Sequence, residues 1–418
     1  MNVKFPYREH GITLSIPDSF EVFHPAVRTP MIGTYTAIIK NLLRPLGYKN
    51  TLFDMAKKCN SACLVVDAYC PPVINRQILD PIIKTLHAAG MSHDDIIILV
   101  AAEYPSEFSA DQIQTMFDEV FLAEYNVQVH KVLSYTKHEL VGKTSDDIPI
   151  YLDRRLKDAD IKIITGSIYP HYLFGYSGAP TLFTLGLSGP ETIQSIYNLA
   201  PIEQLQEFSL LDQQSSFYKH MYEILRMIKL DFIVNFSIDS ELRIIDIFSG
   251  KPERVIKETV RKLNSADYGT IPSKADIIVS CAGGTHFDPS WYHNLMGLCF
   301  SHSFLQPNGV IIFITSLFEQ FSAKQLGNVK NKEDLIDLFA LQNIITGTVQ
   351  KVFSCINDST IIFVSPQLNE KNLKTKDRDI YFCSSIDTAL SFARQYSKKQ
   401  PRTLLLPDGL LSFVSLQS

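Results

Sequence analysis

Nowhere in the 418-residue chain does an apolar run approach the ~18 residues that a membrane-spanning helix needs. The opening stretch, MNVKFPYREHG, has no hydrophobic region of the kind a secretory signal carries. Cysteine pairing is missing too. The seven cysteines (59, 63, 70, 281, 299, 355 and 383) form no CxxC, and no nearby histidine completes a zinc set around Cys59, Cys63 and Cys70. Their apolar settings, as in SACLVV, read as reduced, partly buried thiols in a cytoplasmic protein. There is no basic excess: 39 Lys and Arg against 44 Asp and Glu leave a net charge of −5, which argues against a large nucleic-acid footprint. No polar low-complexity tract and no internal repeat is present. Together these absences leave a globular protein, 45% hydrophobic and 20% charged, with no sign of a nucleic-acid or membrane partner.

Short apolar runs recur, each closing on small or polar residues: ACLVVD (62–67), DIIILVAA (95–102), IKIITG (161–166), DFIVNFSI (231–238), ADIIVSCAGG (275–284), GVIIFITS (309–316) and TIIFVS (360–365). Continuous Val/Ile runs of this length suit strands buried on both faces. Helical patterns alternate with them at 75–90, 110–125 and 215–230. That alternation predicts an α/β fold with largely parallel sheets. The polar Ser/Gly/Pro stretch at 262–276 marks a break. It divides an N-terminal domain, 1–266, from a smaller C-terminal domain, 272–400, with the apolar tail at about 403–418 packing back on the first. The charged segment 369–379 reads as an exposed connection.

In parallel sheets, ligands bind beyond the carboxyl ends of strands. Four such ends carry chemistry: VVDAYCPP (65–72), VAAEYPSE (100–107), GSIYPHYLFGYSGAPTLF (166–183) and CAGGTHFDPSWYHN (281–294). The third is rich in glycine and aromatics, holds one histidine, and has no lysine or arginine. Gly175, Ser177 and Gly178 allow close backbone approach to a ligand, yet the stretch is neither a GxxxxGK[ST] loop nor a hydrolase elbow. His171 is its one group able to exchange a proton near neutral pH, or else a hydrogen-bonded loop histidine beside packed tyrosines. Asp67 either orients a ligand or caps the next element, and Glu103 and Glu107 either supply carboxylates or begin a helix. Gly283 and Gly284 form a turn open to phosphate approach, although a lone Gly-Gly is non-specific. His286, Asp288, Tyr292 and His293 crowd the segment after it, where a helix beginning near Pro289 with Asp288 at or beside its N-cap is the plainer reading.

Taken in order, these stretches resemble the nickel-pincer-nucleotide-dependent lactate racemases over most of the chain. DAYCPP keeps the Asp67 and Pro71 of an Asp-x-x-Arg-Pro motif, and AAGMSHDDIIILVAA matches a second segment. PHYLFGYSGAPT matches the family's PH-x-x-x-G-[FY]-SGG-x-K, preceded by a close match in IPIYLDRRLKDADIKIITGSIYPH. CAGGTHFDPSWYHN matches its closing Gly-Gly…Asp…Tyr-Gln-x-x-Lys motif. The resemblance implies two α/β domains with largely parallel sheets and an interdomain cleft, and a nickel held by the sulfurs of a pyridinium mononucleotide tethered to the SGGxK lysine. A histidine on the next helix binds the metal. Two further histidines pass protons while a hydride leaves and returns to the Cα of a 2-hydroxy acid.

On that resemblance Asp67, Ser177, Gly178, Gly283, Gly284 and Tyr292 are cofactor-binding residues, and His171 and His293 the catalytic pair. Thr181 stands at the tethering lysine, Tyr197 at the nickel ligand, Cys70 at the motif arginine, His293 at the glutamine and Met296 at the closing lysine. EYP (103–105) shortens the segment that carries one acid/base histidine, and Arg76 stands six residues beyond Cys70 as a stand-in cation or a plain helix-surface arginine. Three readings follow. One is a 2-hydroxy acid racemase or epimerase working by hydride transfer with a nickel-pincer nucleotide. Another is an inactive or repurposed small-ligand-binding homologue that lacks the covalent cofactor. The last is a different reaction on a small carboxylate or sugar acid.

Overall fold

The computed structural model describes the chain apart from residues 9, 24–32, 103–107, 172–173, 199–215, 264–268, 285, 289, 330, 341–355, 357, 369–378, 397–399, 413 and 417–418. Glu103, Glu107 and most of the charged segment 369–379 therefore lie outside the described residues. Every apolar run named above becomes a strand. Ala62–Asp67 is buried along its whole length, as a strand covered on both faces must be.

The first sheet has six strands, ordered Ile244–Gly250, Phe232–Ile238, Ile161–Ser167, Ala62–Asp67, Ile96–Ala101 and Asn126–Val129. All neighbours are parallel except the first pair, an antiparallel hairpin. The second sheet is parallel throughout, ordered Ile380–Cys383, Thr360–Val364, Leu305–Ile314, Ala275–Cys281, Thr403–Leu406 and Glu21–Val22.

The division of the chain between the sheets departs from the expected 1–266 and 272–400 in two places. Glu21–Val22 extends the second sheet, and the hairpin Asn2–Phe5/Ile12–Ser15 puts Val3, Phe5, Tyr7 and Leu14 into the core on one of its faces. The tail strand Thr403–Leu406, expected against the first domain, instead lies beside Ala275–Cys281. The physical reason is hydrogen bonding: Ala275–Cys281 would otherwise be a bare edge, Thr403–Leu406 satisfies it, and Glu21–Val22 in turn pairs with the outer side of Thr403–Leu406.

The helix expected over 110–125 is two helices, Ala110–Met116 and Glu119–Glu124. Phe117 turns extended and stacks on Phe121, and Asp118 caps the second helix by accepting from the Phe121 N–H at 2.9 Å. Among the described residues no helix is long and apolar enough to cross a membrane. Cysteines 59, 63, 70, 281, 299 and 383 are free thiols; Cys355 lies outside the described residues.

Candidate functional site

Beyond Ile161–Ser167 the chain folds into a tight hairpin, Pro170–His171 against Gly175–Tyr176, and then runs back beneath itself. Two glycines make this crossing possible. A Cβ on Gly166 would sit 2.2 Å from the Ala179 nitrogen, and one on Gly178, whose φ is +110°, would press on Asn235 at 3.0 Å. Ser177 is the clamp. Its hydroxyl accepts from the Tyr169 N–H at 2.8 Å and donates to the Ser167 carbonyl at 2.9 Å, while its own N–H donates to the Tyr169 carbonyl. Gly166 therefore admits backbone against backbone, Gly178 admits the Asn235 side chain, and Ser177 holds the loop.

From the second sheet comes the helix Trp291–His302. Its N-cap is Ser290, which accepts from the His293 N–H. This corrects the expected cap at Asp288. The first turn delivers Tyr292 and His293 to the hairpin. The Tyr292 hydroxyl lies 2.8 Å from His171 Nε2. The Phe174 N–H donates to His171 Nδ1, so Nε2 carries the ring proton and donates to Tyr292. Tyr197 donates to the same Tyr292 oxygen at 3.4 Å. His293 meets the Tyr169 hydroxyl through Nε2 at 3.1 Å and the Ser290 hydroxyl through Nδ1 at 2.8 Å. Tyr69 and Phe287 lay their rings against His293 with centroids 4.5 and 4.7 Å away. Asp67 closes the arrangement by accepting from the Tyr69 N–H at 2.9 Å.

The structure thus brings together Asp67, His171, Tyr197, Tyr292 and His293, and adds Tyr69, Tyr169 and Ser290, which the sequence reading did not single out. The signal for Tyr169 was available: it is a phenol two residues before the histidine in a loop with no charged group. Gly283 and Gly284 sit at the second sheet's strand end against Phe287 and Pro6. Asp288 accepts from the Arg8 N–H at 3.3 Å. Arg76 stays on the helix surface, paired with Asp118 at 3.2 Å and lying over the Phe121 ring.

The cluster is dry, and burial sets its protonation. Both imidazoles are fully buried, and their pKa values are pushed down to about 3, for His171 also by its neighbour His293. Burial likewise raises Asp67 to about 7, only partly opposed by the N–H groups of Tyr69 and Ser167, and Asp288 to about 7. Burial thus favours the uncharged form of every one of these groups.

These residues do not fit the tethered nickel nucleotide. The buried Thr181 hydroxyl turns inward and donates to the Gly178 carbonyl at 2.9 Å, and a threonine has no amine to form the link. Tyr197, which the sequence resemblance puts at the metal-ligand position, is joined to Tyr292, and a neutral phenol is a poor nickel ligand.

A second buried polar cluster escaped the sequence reading. Asp153 accepts from Arg155 Nε at 2.8 Å and Nη2 at 2.5 Å, and lies 2.9 Å from His130 Nδ1. Burial pushes its carboxyl up, yet Arg155 and His130 hold it well below the usual carboxylate range. The DRR of YLDRRL was its only trace.

Comparison with known proteins agrees with this architecture. Residues 7–207 match the model of the lactate racemase N-terminal domain. Over 425 residues the chain is 21% identical to the lactate racemase of Lactiplantibacillus plantarum, covering 98% of each. Over 319 residues it is 22% identical to that of Thermoanaerobacterium thermosaccharolyticum, covering 74% of this chain and 73% of the relative. The solved lactate racemase apoprotein from T. thermosaccharolyticum superposes with a TM-score of 0.76 at 18% identity, covering 99% of this chain and all (100%) of that one. A crystal structure of a Thermotoga maritima protein superposes with a TM-score of 0.64 at 13% identity, covering 94% of this chain and 100% of that one.

Proposed function

Because the chain is a divergent member of the lactate racemase family, we propose that it is a small-ligand-binding protein that has kept the family's fold without the tethered nickel-pincer nucleotide. The ligand meets the hairpin and helix at His171, Tyr292 and His293. The observation that carries this reading is the bond from His171 Nε2 to Tyr292, reinforced by Tyr197. The acid/base position and the metal-ligand position are linked in one chain of neutral hydrogen bonds. Thr181, at the tethering position, hydrogen-bonds to its own turn.

Protonation favours binding over catalysis. A general base that takes a hydroxyl proton works best with a pKa near the working pH, and burial pushes both imidazoles down to about 3. The second reading, a 2-hydroxy acid racemase or epimerase, would use His171 and His293, which lie in the same buried cluster, joined through Tyr292 and the hairpin.

Co-expression with the enzymes that make the nickel-pincer nucleotide separates the two. Intact-mass spectrometry is expected to return the mass of the unmodified chain, and metal analysis no stoichiometric nickel. A mass gain matching the nucleotide, together with Cα-hydrogen exchange in a 2-hydroxy acid that His171→Gln abolishes, would overturn the binding reading in favour of the racemase.

A further inference from the structure

We propose that the helix Trp291–His302 carries a second binding recess on the side turned away from His171. It takes a compact, uncharged compound with an apolar body and one O–H or N–H donor. This recess is separate from the hairpin site and does not depend on the role proposed for it.

Trp291, Asn294, Leu295 and Leu298 stand at the spacing of one helix face and line a recess of about 240 Å³, partly open to solvent. Tyr292 and His293, which meet the hairpin, belong to the other side of the helix. Leu317 and Phe318 of the turn Leu317–Gln320 and Phe363 of the strand Thr360–Val364 close the recess. The two phenyl rings lie with centroids 4.5 Å apart.

This apolar recess contains an acceptor without a donor. Asn294 is 2% exposed, and its Nδ2 donates to the carbonyls of Phe287, Asp288 and Ser290 at 3.3, 2.9 and 2.7 Å. Turning the amide over would set its oxygen against those three oxygens, so its orientation is fixed. Oδ1 lies on the opposite edge of the amide, buried, and no hydrogen bond reaches it among the described residues. A buried acceptor in that state calls for a donor.

A lone water fills this role poorly, because an ordered water needs about two to four polar partners. Leu295, Leu298, Leu317, Phe318 and Phe363 supply none. They suit an apolar body instead. The space that a water-sized group can enter is only about 10 Å³, which fits one hydroxyl or amine group and keeps the body compact. No charged side chain lines the recess, and Glu319, next to Phe318, is turned to Tyr7, Arg8 and Ser365. A neutral donor is therefore favoured over an ammonium.

Trp291 is the only tryptophan of the chain, so its indole N–H gives a single resonance in 15N-tryptophan-labelled full-length protein. Cyclopentanol and cyclopentanone are titrated against it; they match in size, and only the alcohol donates. Cyclopentanol is expected to shift the resonance saturably, and cyclopentanone to bind about tenfold more weakly. Leu298→Phe, which fills the recess and leaves Asn294 in place, should abolish the shift caused by the alcohol. The contrast between alcohol and ketone is read in the wild type, so it stands whether or not the variant folds. Equal binding of the two compounds would show that Oδ1 is not the anchor and overturn the proposal. The absence of a saturable shift with cyclopentanol would overturn it too, leaving water as the occupant. A shift that persists in folded Leu298→Phe would put the alcohol elsewhere, with the same consequence.

Discussion

Two buried polar clusters in this protein solve the same problem in opposite ways. Around Asp153, charge is kept and paired: burial opposes the carboxylate, but Arg155 and His130 together hold it ionised. Around His171 and His293, charge is avoided. The imidazoles stay neutral and Asp67 is protonated below about pH 7. Hydroxyls of Tyr169, Tyr197, Tyr292 and Ser290 supply the bonds. A paired cluster is sensitive to loss of a partner. A neutral cluster is sensitive to pH and to any ligand that brings charge into it.

The largest expected effect belongs to the paired cluster. Arg155→Met leaves the Asp153 carboxylate buried without its main partner, and unfolding free energy from a denaturant titration should fall by about 3–5 kcal/mol. Tyr292→Phe in the neutral cluster should lower it by only about 1 kcal/mol in the same titration. Equal losses would erase the contrast.

Next comes acid. His293 has its folded-state pKa depressed to about 3 from an ordinary 6.5, so its contribution to stability is full above pH 6.5 and is lost as pH falls towards 3. Relative to pH 7.5, the wild type should have lost about 2 kcal/mol more than His293→Gln by pH 5. Parallel stability curves for the two proteins would show that His293 is not held neutral.

Asp67 has the opposite sign and an effect of similar size. Its folded-state pKa is raised from 3.8 to about 7, so its contribution is full below pH 3.8 and is lost as pH rises through 7. Between pH 5 and pH 8 the wild type should therefore lose about 2–3 kcal/mol of stability that Asp67→Asn keeps. Smallest of all is Arg76→Ala, since its pair with Asp118 is exposed, and thermal unfolding should move within error.

The contrast between the clusters also explains what could be read in advance. Continuous Val/Ile runs such as ACLVVD and GVIIFITS announced strands buried on both faces, because no other element buries every residue of a short run. The strand pairs that crossed the expected domain boundary were invisible for the opposite reason. Glu21–Val22 is two residues long with no periodicity, and Thr403–Leu406 found its neighbour nearly 130 residues away. In the site, His171, Tyr292 and His293 stood out as chemistry-bearing residues at strand ends, but that hydrogen bonds from Tyr169 and Tyr197 would tie them together depends on tertiary contact alone. Ser177 was legible as a residue of the cradle and illegible as a clamp, because only the fold places the backbone of Ser167 and Tyr169 against it.

The central claim is that the His171–His293 cluster is uncharged. The ring-nitrogen resonances of 15N-histidine-labelled protein, assigned with His171→Gln and His293→Gln, report each imidazole's protonation directly. Both rings are expected to keep neutral-tautomer shifts from pH 8 down to pH 5, with His171 carrying its proton on Nε2. A transition of either ring to the imidazolium form within that range would contradict the account.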